Sequence, residues 1–125
     1  MRFYQEMIEI RDRLVALGLE VELPEAEEKK VDYLGLPDNE LATAKRYYID
    51  AHLTKIKNSD CVLLVNPEKD GIQGYVGANT LMEAAFAFAL DKPIYVLYAP
   101  GEQPCRAEML GMQPTVLFGN ISSLR

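Results

Sequence analysis

At 125 residues the chain is long enough for one two-sided hydrophobic core without disulfides or a structural metal, and one domain over 1–125 is the natural expectation. Its formal net charge of −6 excludes the broad basic surface that nucleic-acid backbones attract, and no run approaches the roughly 20 apolar residues that span a bilayer. No leader pattern of basic, apolar and small residues opens the sequence, so the expected compartment is the cytoplasm, with neither nucleic acid nor membrane as a partner.

Phe3, Met7, Ile10, Leu14 and Leu17 recur at alternating steps of four and three, the stripe of an amphipathic helix, with Gly18 as its stop. Val21-Glu22-Leu23 before Pro24 predicts a short strand, and Glu25 to Lys30 a charged, solvated connection. Asp38 or Asn39 can cap a second helix carrying Leu41, Ala44, Tyr48, Ile49, Leu53 and Ile56 and ending near Asn58. His52, the only histidine, reads as a surface residue of that helix, and a single imidazole excludes a His-rich metal centre.

Cys61 to Val65 is a continuous apolar run of strand length, the pattern of a strand buried on both faces of a parallel sheet. Cys61 and Cys105 form no Cys-x-x-Cys pair and read as reduced thiols, Cys61 as a small core residue. A third helix is expected from about Thr80 to Leu90, ended by Asp91-Lys92-Pro93, followed by a strand over Ile94 to Tyr98. Pro104 to Met112 predicts a short helix and Thr115 to Phe118 a last strand. This alternation implies an α/β fold with a mostly parallel sheet and helices on both faces.

Ligands of open parallel sheets sit beyond the carboxyl ends of the strands, which directs attention to the stretch NPEKDGIQGYVGANT from Asn66. Its spaced glycines Gly71, Gly74 and Gly77 permit close backbone approach just before a helix N-terminus, where free N–H groups favour an anion; a long loop that only needs to turn would use glycines too. Asn66, Gly74, Tyr75, Gly77, Asn79 and Thr80 are the candidate substrate-binding residues. No metal ligands are expected.

Glu83 is the one charged residue between Thr80 and Leu90, on a helix otherwise apolar or small on every side. One reading is a capping box, in which Glu83 returns to the Thr80 backbone. The other is a carboxylate facing the crevice as nucleophile or general base, with desolvation raising its pKa and the helix N-terminus lowering it.

Thr80, Glu83, Ala87, Ala89, Lys92 and Pro93 match, in order, the G-T-x-x-E-x-G-x-A-x-A helix and K-P strand entry of the nucleoside 2-deoxyribosyltransferase family, which this stretch resembles; Ala85 replaces a family glycine. Upstream, Asp50 precedes Ile56, Ser59-Asp60 and Val62 much as the family's active-site Asp precedes its I-x-x-(S/A)-D-x-V segment. The resemblance implies a flavodoxin-like (Rossmann-like) three-layer sandwich with 4-5 strands, a nucleoside or nucleotide substrate, no cofactor, and a homodimer or higher homo-oligomer. It also implies that Glu83 attacks the anomeric carbon while Asp50 handles the proton of the base; a solvated carboxylate on the helix face is the alternative for Asp50.

Gly77-Ala78-Asn79-Thr80 stands where the family has Asp-x-Gly-Thr, which moves the expected substrate toward that of the related nucleoside 5′-monophosphate N-hydrolases. The family's first central strand and ligand turn have no counterpart at Met1 to Tyr4. A non-catalytic nucleotide-binding or oligomeric scaffold protein of the same fold is the second expectation.

Overall fold

The computed structural model describes residues 4–23 and 32–124. Phe3, Pro24 and the charged connection from Glu25 to Lys30 lie outside them. The first helix, α1, spans Tyr4–Ala16 and buries Leu14. It ends in a Schellman arrangement: the Gly18 N–H donates to the Val15 carbonyl at 2.9 Å and the Leu19 N–H to the Leu14 carbonyl at 3.1 Å. Leu14 and Leu19 then pack in the same apolar cluster.

Val21 to Leu23 does not form the expected strand. Val21 packs its side chain into the core, and the Leu23 carbonyl accepts from Lys55 Nζ, so these residues are held without a sheet partner. After a 3₁₀ turn over Tyr33–Gly35, α2 spans Asp38–Lys57. Pro37 occupies its N-cap position with no side-chain cap bond, so neither Asp38 nor Asn39 caps it. Both lie inside the first turn, where Asp38 still faces the positive end of the helix dipole.

Three short strands, β1 Val62–Leu64, β2 Ile94–Val96 and β3 Thr115–Val116, pair in parallel in the order β1-β2-β3. Each is shorter than its apolar run, although hydrogen bonds continue one step further, with Leu97 N–H donating to the Leu64 carbonyl and Leu117 N–H to the Val96 carbonyl. The chain passes from β1 to β2 through α3, Ala78–Ala89, and from β2 to β3 through α4, Arg106–Gly111. A 3₁₀ turn, Ile121–Leu124, closes the described chain.

Alternation along the strands sorts the core into two clusters. Leu64, Ile94 and Val96 pack with Ile56 of α2, Ala84 and Ala87 of α3 and Met109 of α4. Leu63, Val65 and Leu97 pack with Leu14 of α1 and with Ile121. Opposite directions of neighbouring side chains on one strand place helices on both faces of the sheet. Alanines at 84 and 87, both fully buried, let α3 lie close to the sheet and to α2. The positions of Glu83 and His52 follow from that approach.

Candidate functional site

The segment from Asn66 to Gly77 leaves β1 at its carboxyl end and delivers α3. Asn66 is fully buried. Its Nδ2 donates to the Tyr98 carbonyl at 2.7 Å and its Oδ1 accepts the Tyr98 N–H at 2.9 Å, so the side chain prolongs the β1–β2 ladder. That satisfies the amide with backbone and accounts for its burial. Beyond it, Lys69 and Ile72 exchange hydrogen bonds around Asp70 (φ 53) and Gly71 (φ 81), the two left-handed positions of a type I′ turn.

At Gly74 the chain meets the segment that follows β2. Gly74 has φ +71, and a Cβ there would lie 2.0 Å from the Ala99 carbonyl oxygen. Gly101 answers from the other side, where a Cβ would lie 1.9 Å from the Gln73 carbonyl oxygen. Gln103 ties the two segments: its Nε2 donates to the carbonyls of Gly74 (3.0 Å) and Gly101 (3.1 Å), and its Oε1 accepts the Val76 N–H (2.8 Å). The glycine-rich stretch is therefore a braced loop.

Gly77 is the N-cap of α3, with no side-chain cap bond, so of the two readings of Glu83 the capping box with Thr80 does not form. Glu83 instead meets α2. His52 Nδ1 lies 3.1 Å from Glu83 Oε1, with the imidazole 4% and the carboxylate side chain 18% exposed. Among the described residues the Glu83 carboxylate has no second hydrogen-bond partner. The contact is an ion pair when the imidazole is protonated, and burial then makes its Coulombic value larger than it would be in water.

His52 is not the surface residue expected from the sequence. It stands four residues after Tyr48 and four before Ile56, on the buried stripe of α2. That spacing was the available signal. Asp50, two residues earlier, lies roughly 200° around the helix from His52 at about 100° per residue. It is 55% exposed and accepts from Arg46 Nε at 3.1 and 3.0 Å. The structure does not bring Asp50 to Glu83.

Of the remaining candidates, Asn79 accepts from Lys45 Nζ at 2.6 Å, which ties the first turn of α3 to α2. Tyr75 lies under Lys69, whose Nζ is 4.8 Å from the ring centroid. Gly74 and Asn66 serve the brace. Thr80 is half-buried in the first turn of α3. Burial, and next the charge of Asp60, push the Cys61 thiol up, so it stays protonated at neutral pH and is no thiolate nucleophile.

A separate groove of about 190 Å³ opens at the strand carboxyl ends on the α1 face, lined in part by Pro67, Tyr98 and Gly119 and by Glu6, Glu9 and Arg13. Glu83 is not among its lining residues. No group of three or more His, Cys, Asp or Glu placed to hold a metal occurs among the described residues. No helix among them is long and apolar enough to cross a membrane. No family model matches the chain, and neither a curated protein nor a solved structure does.

Proposed function

We propose that this chain cleaves or transfers an N-glycosidic bond of a (deoxy)nucleoside or nucleoside 5′-monophosphate, with Glu83 as the nucleophile. The observation that carries the reading is the Glu83 carboxylate itself: largely buried as the one charged group of α3, free of any capping duty, and held by a buried imidazole at 3.1 Å. A carboxylate withdrawn from water needs a specific partner, and Glu83 has one in His52. The resemblance of residues 80–94 to the deoxyribosyltransferase helix supplies the substrate class.

The chemistry is that of a retaining glycosidase. A Glu83 oxygen forms a bond to the anomeric carbon as the bond to the base nitrogen breaks, and the departing base keeps that electron pair and takes a proton. Water or a second base then attacks the same carbon and releases the carboxylate. The reaction draws on no cofactor. Asp50 faces away from Glu83, so the reading rests on Glu83 alone and leaves the proton of the base to solvent. The proposal extends to a flavodoxin-like three-layer sandwich with a mostly parallel sheet of 4-5 strands, to which β1, β2 and β3 contribute three. It also extends to a homodimer or higher oligomer, supported by the exposed Ala85, Phe88 and Ala89 of α3.

The test is chromatography of free base released from deoxynucleosides and their monophosphates. Glu83→Ala is expected to lower release by at least about 10³-fold, the scale on which removing a nucleophile acts, with circular dichroism unchanged. Release that persists in the variant removes Glu83 from the chemistry. The second reading, a binding protein without turnover, is favoured by the groove beside Tyr98, which Glu83 does not line. It predicts nucleotide binding in calorimetry with no base released.

A further inference from the structure

We infer that His52 is a positioning residue for Glu83: it holds one carboxylate oxygen so that the other is presented in a fixed orientation. The inference rests on the reading of Glu83 as nucleophile and adds to it the residue that sets its geometry. A glutamate side chain has three rotatable bonds, and a nucleophile reacts only from the few orientations that align it with the anomeric carbon. The tether from His52 Nδ1 to Oε1 at 3.1 Å selects one of them before substrate arrives.

Two features make the imidazole suited to that task. It lies one turn before the core residue Ile56 on α2 and is itself buried, which limits the rotamers open to it. It is also 4% exposed, and Nδ1 is the nitrogen facing Glu83. A group so placed does not reach a substrate, which separates it from a general acid acting on the departing base. Apolar residues across a helix–helix contact are commonly as stable as a buried charged pair, so stability alone does not call for this one.

The experiment compares full-length wild type with His52→Leu and His52→Asn, whose Nδ2 comes near the place of the imidazole Nδ1. Steady-state base release is measured on deoxynucleosides and their monophosphates, with circular dichroism as the folding control. Misplacement of a reacting group by about an ångström costs about 10²-fold. His52→Leu is therefore expected to lower kcat by about that factor with KM within about threefold, and His52→Asn to recover at least about tenfold of the loss. Because His52 is the only histidine, the imidazole ¹⁵N spectrum needs no assignment, and Glu83→Ala should move its Nδ1 resonance. A kcat unchanged in His52→Leu while Glu83→Ala abolishes release overturns the positioning role and leaves the nucleophile standing. So does an equal loss in both His52 variants. No release from any substrate by wild type removes the nucleophile reading and the positioning role together, and a Glu83-dependent imidazole signal then marks a structural pair.

Discussion

Between β1 and α3 the chain is held by backbone against backbone: Gly74 on the Ala99 carbonyl, Gly101 on the Gln73 carbonyl, with Gln103 and Asn66 closing the hydrogen bonds. Between α2 and α3 the equivalent fixing is done by side chains, Lys45 on Asn79 at the first turn of α3 and His52 on Glu83 one turn further on, in a contact otherwise built from small and apolar residues. The first arrangement has no room for a single methyl group. The second can lose a polar pair and keep its packing. Substitutions in the loop should therefore appear as lost stability, and substitutions in the His52–Glu83 pair chiefly as lost activity.

The largest expected effect falls on the loop. Gly74→Ala meets two penalties, a left-handed φ that L residues disfavour and a Cβ placed 2.0 Å from a backbone oxygen. Together these should cost about 3 kcal/mol or more. At roughly 4 °C per kcal/mol for a chain of this size, Tm should fall by about 12 °C, read by thermal circular dichroism. A variant within about 1 kcal/mol of wild type would show that the two segments part easily and would end the contrast. Next comes Asn66→Leu, which keeps the branched outline of the side chain but leaves the Tyr98 N–H and carbonyl without their partners. It should cost about 2 kcal/mol by chemical denaturation; a neutral result would mean that water replaces the amide.

The same contrast explains what was legible in the sequence. Continuous apolar runs of strand length marked β1 and β2, and the glycine after Leu17 marked the end of α1, because those signals are local. The glycines after Asn66 marked the loop, yet their partner segment after β2 lies about thirty residues away and left no local trace. Gln103, which braces that contact, therefore carried no signal of its own. Glu83 stood out as a charge on an apolar helix. His52 did not, because its polarity points to the surface while its four-residue spacing from Tyr48 and Ile56 points inward. Val21 to Leu23 failed as a strand because an apolar alternation of three residues fits packing against α1 as well as pairing in a sheet.

The smallest expected effect sharpens the contrast within α2 itself, where Arg46 and Asp50 form a contact as short as that of His52 and Glu83 but in water. At 76% and 55% side-chain exposure, solvent screening and side-chain entropy should hold this pair below about 0.5 kcal/mol. Asp50→Asn should shift Tm by no more than about 2 °C, and raising the salt should shrink even that. On the proposed reading, base release should stay within about twofold of wild type, because a carboxylate on the far side of the helix has no path to a sugar carbon held at Glu83. A fall of tenfold or more would bring Asp50 into the chemistry as the group that handles the proton of the base. It would also require α2 to turn or shift when substrate binds, and the His52–Glu83 contact, lying on the same helix, would have to break or follow.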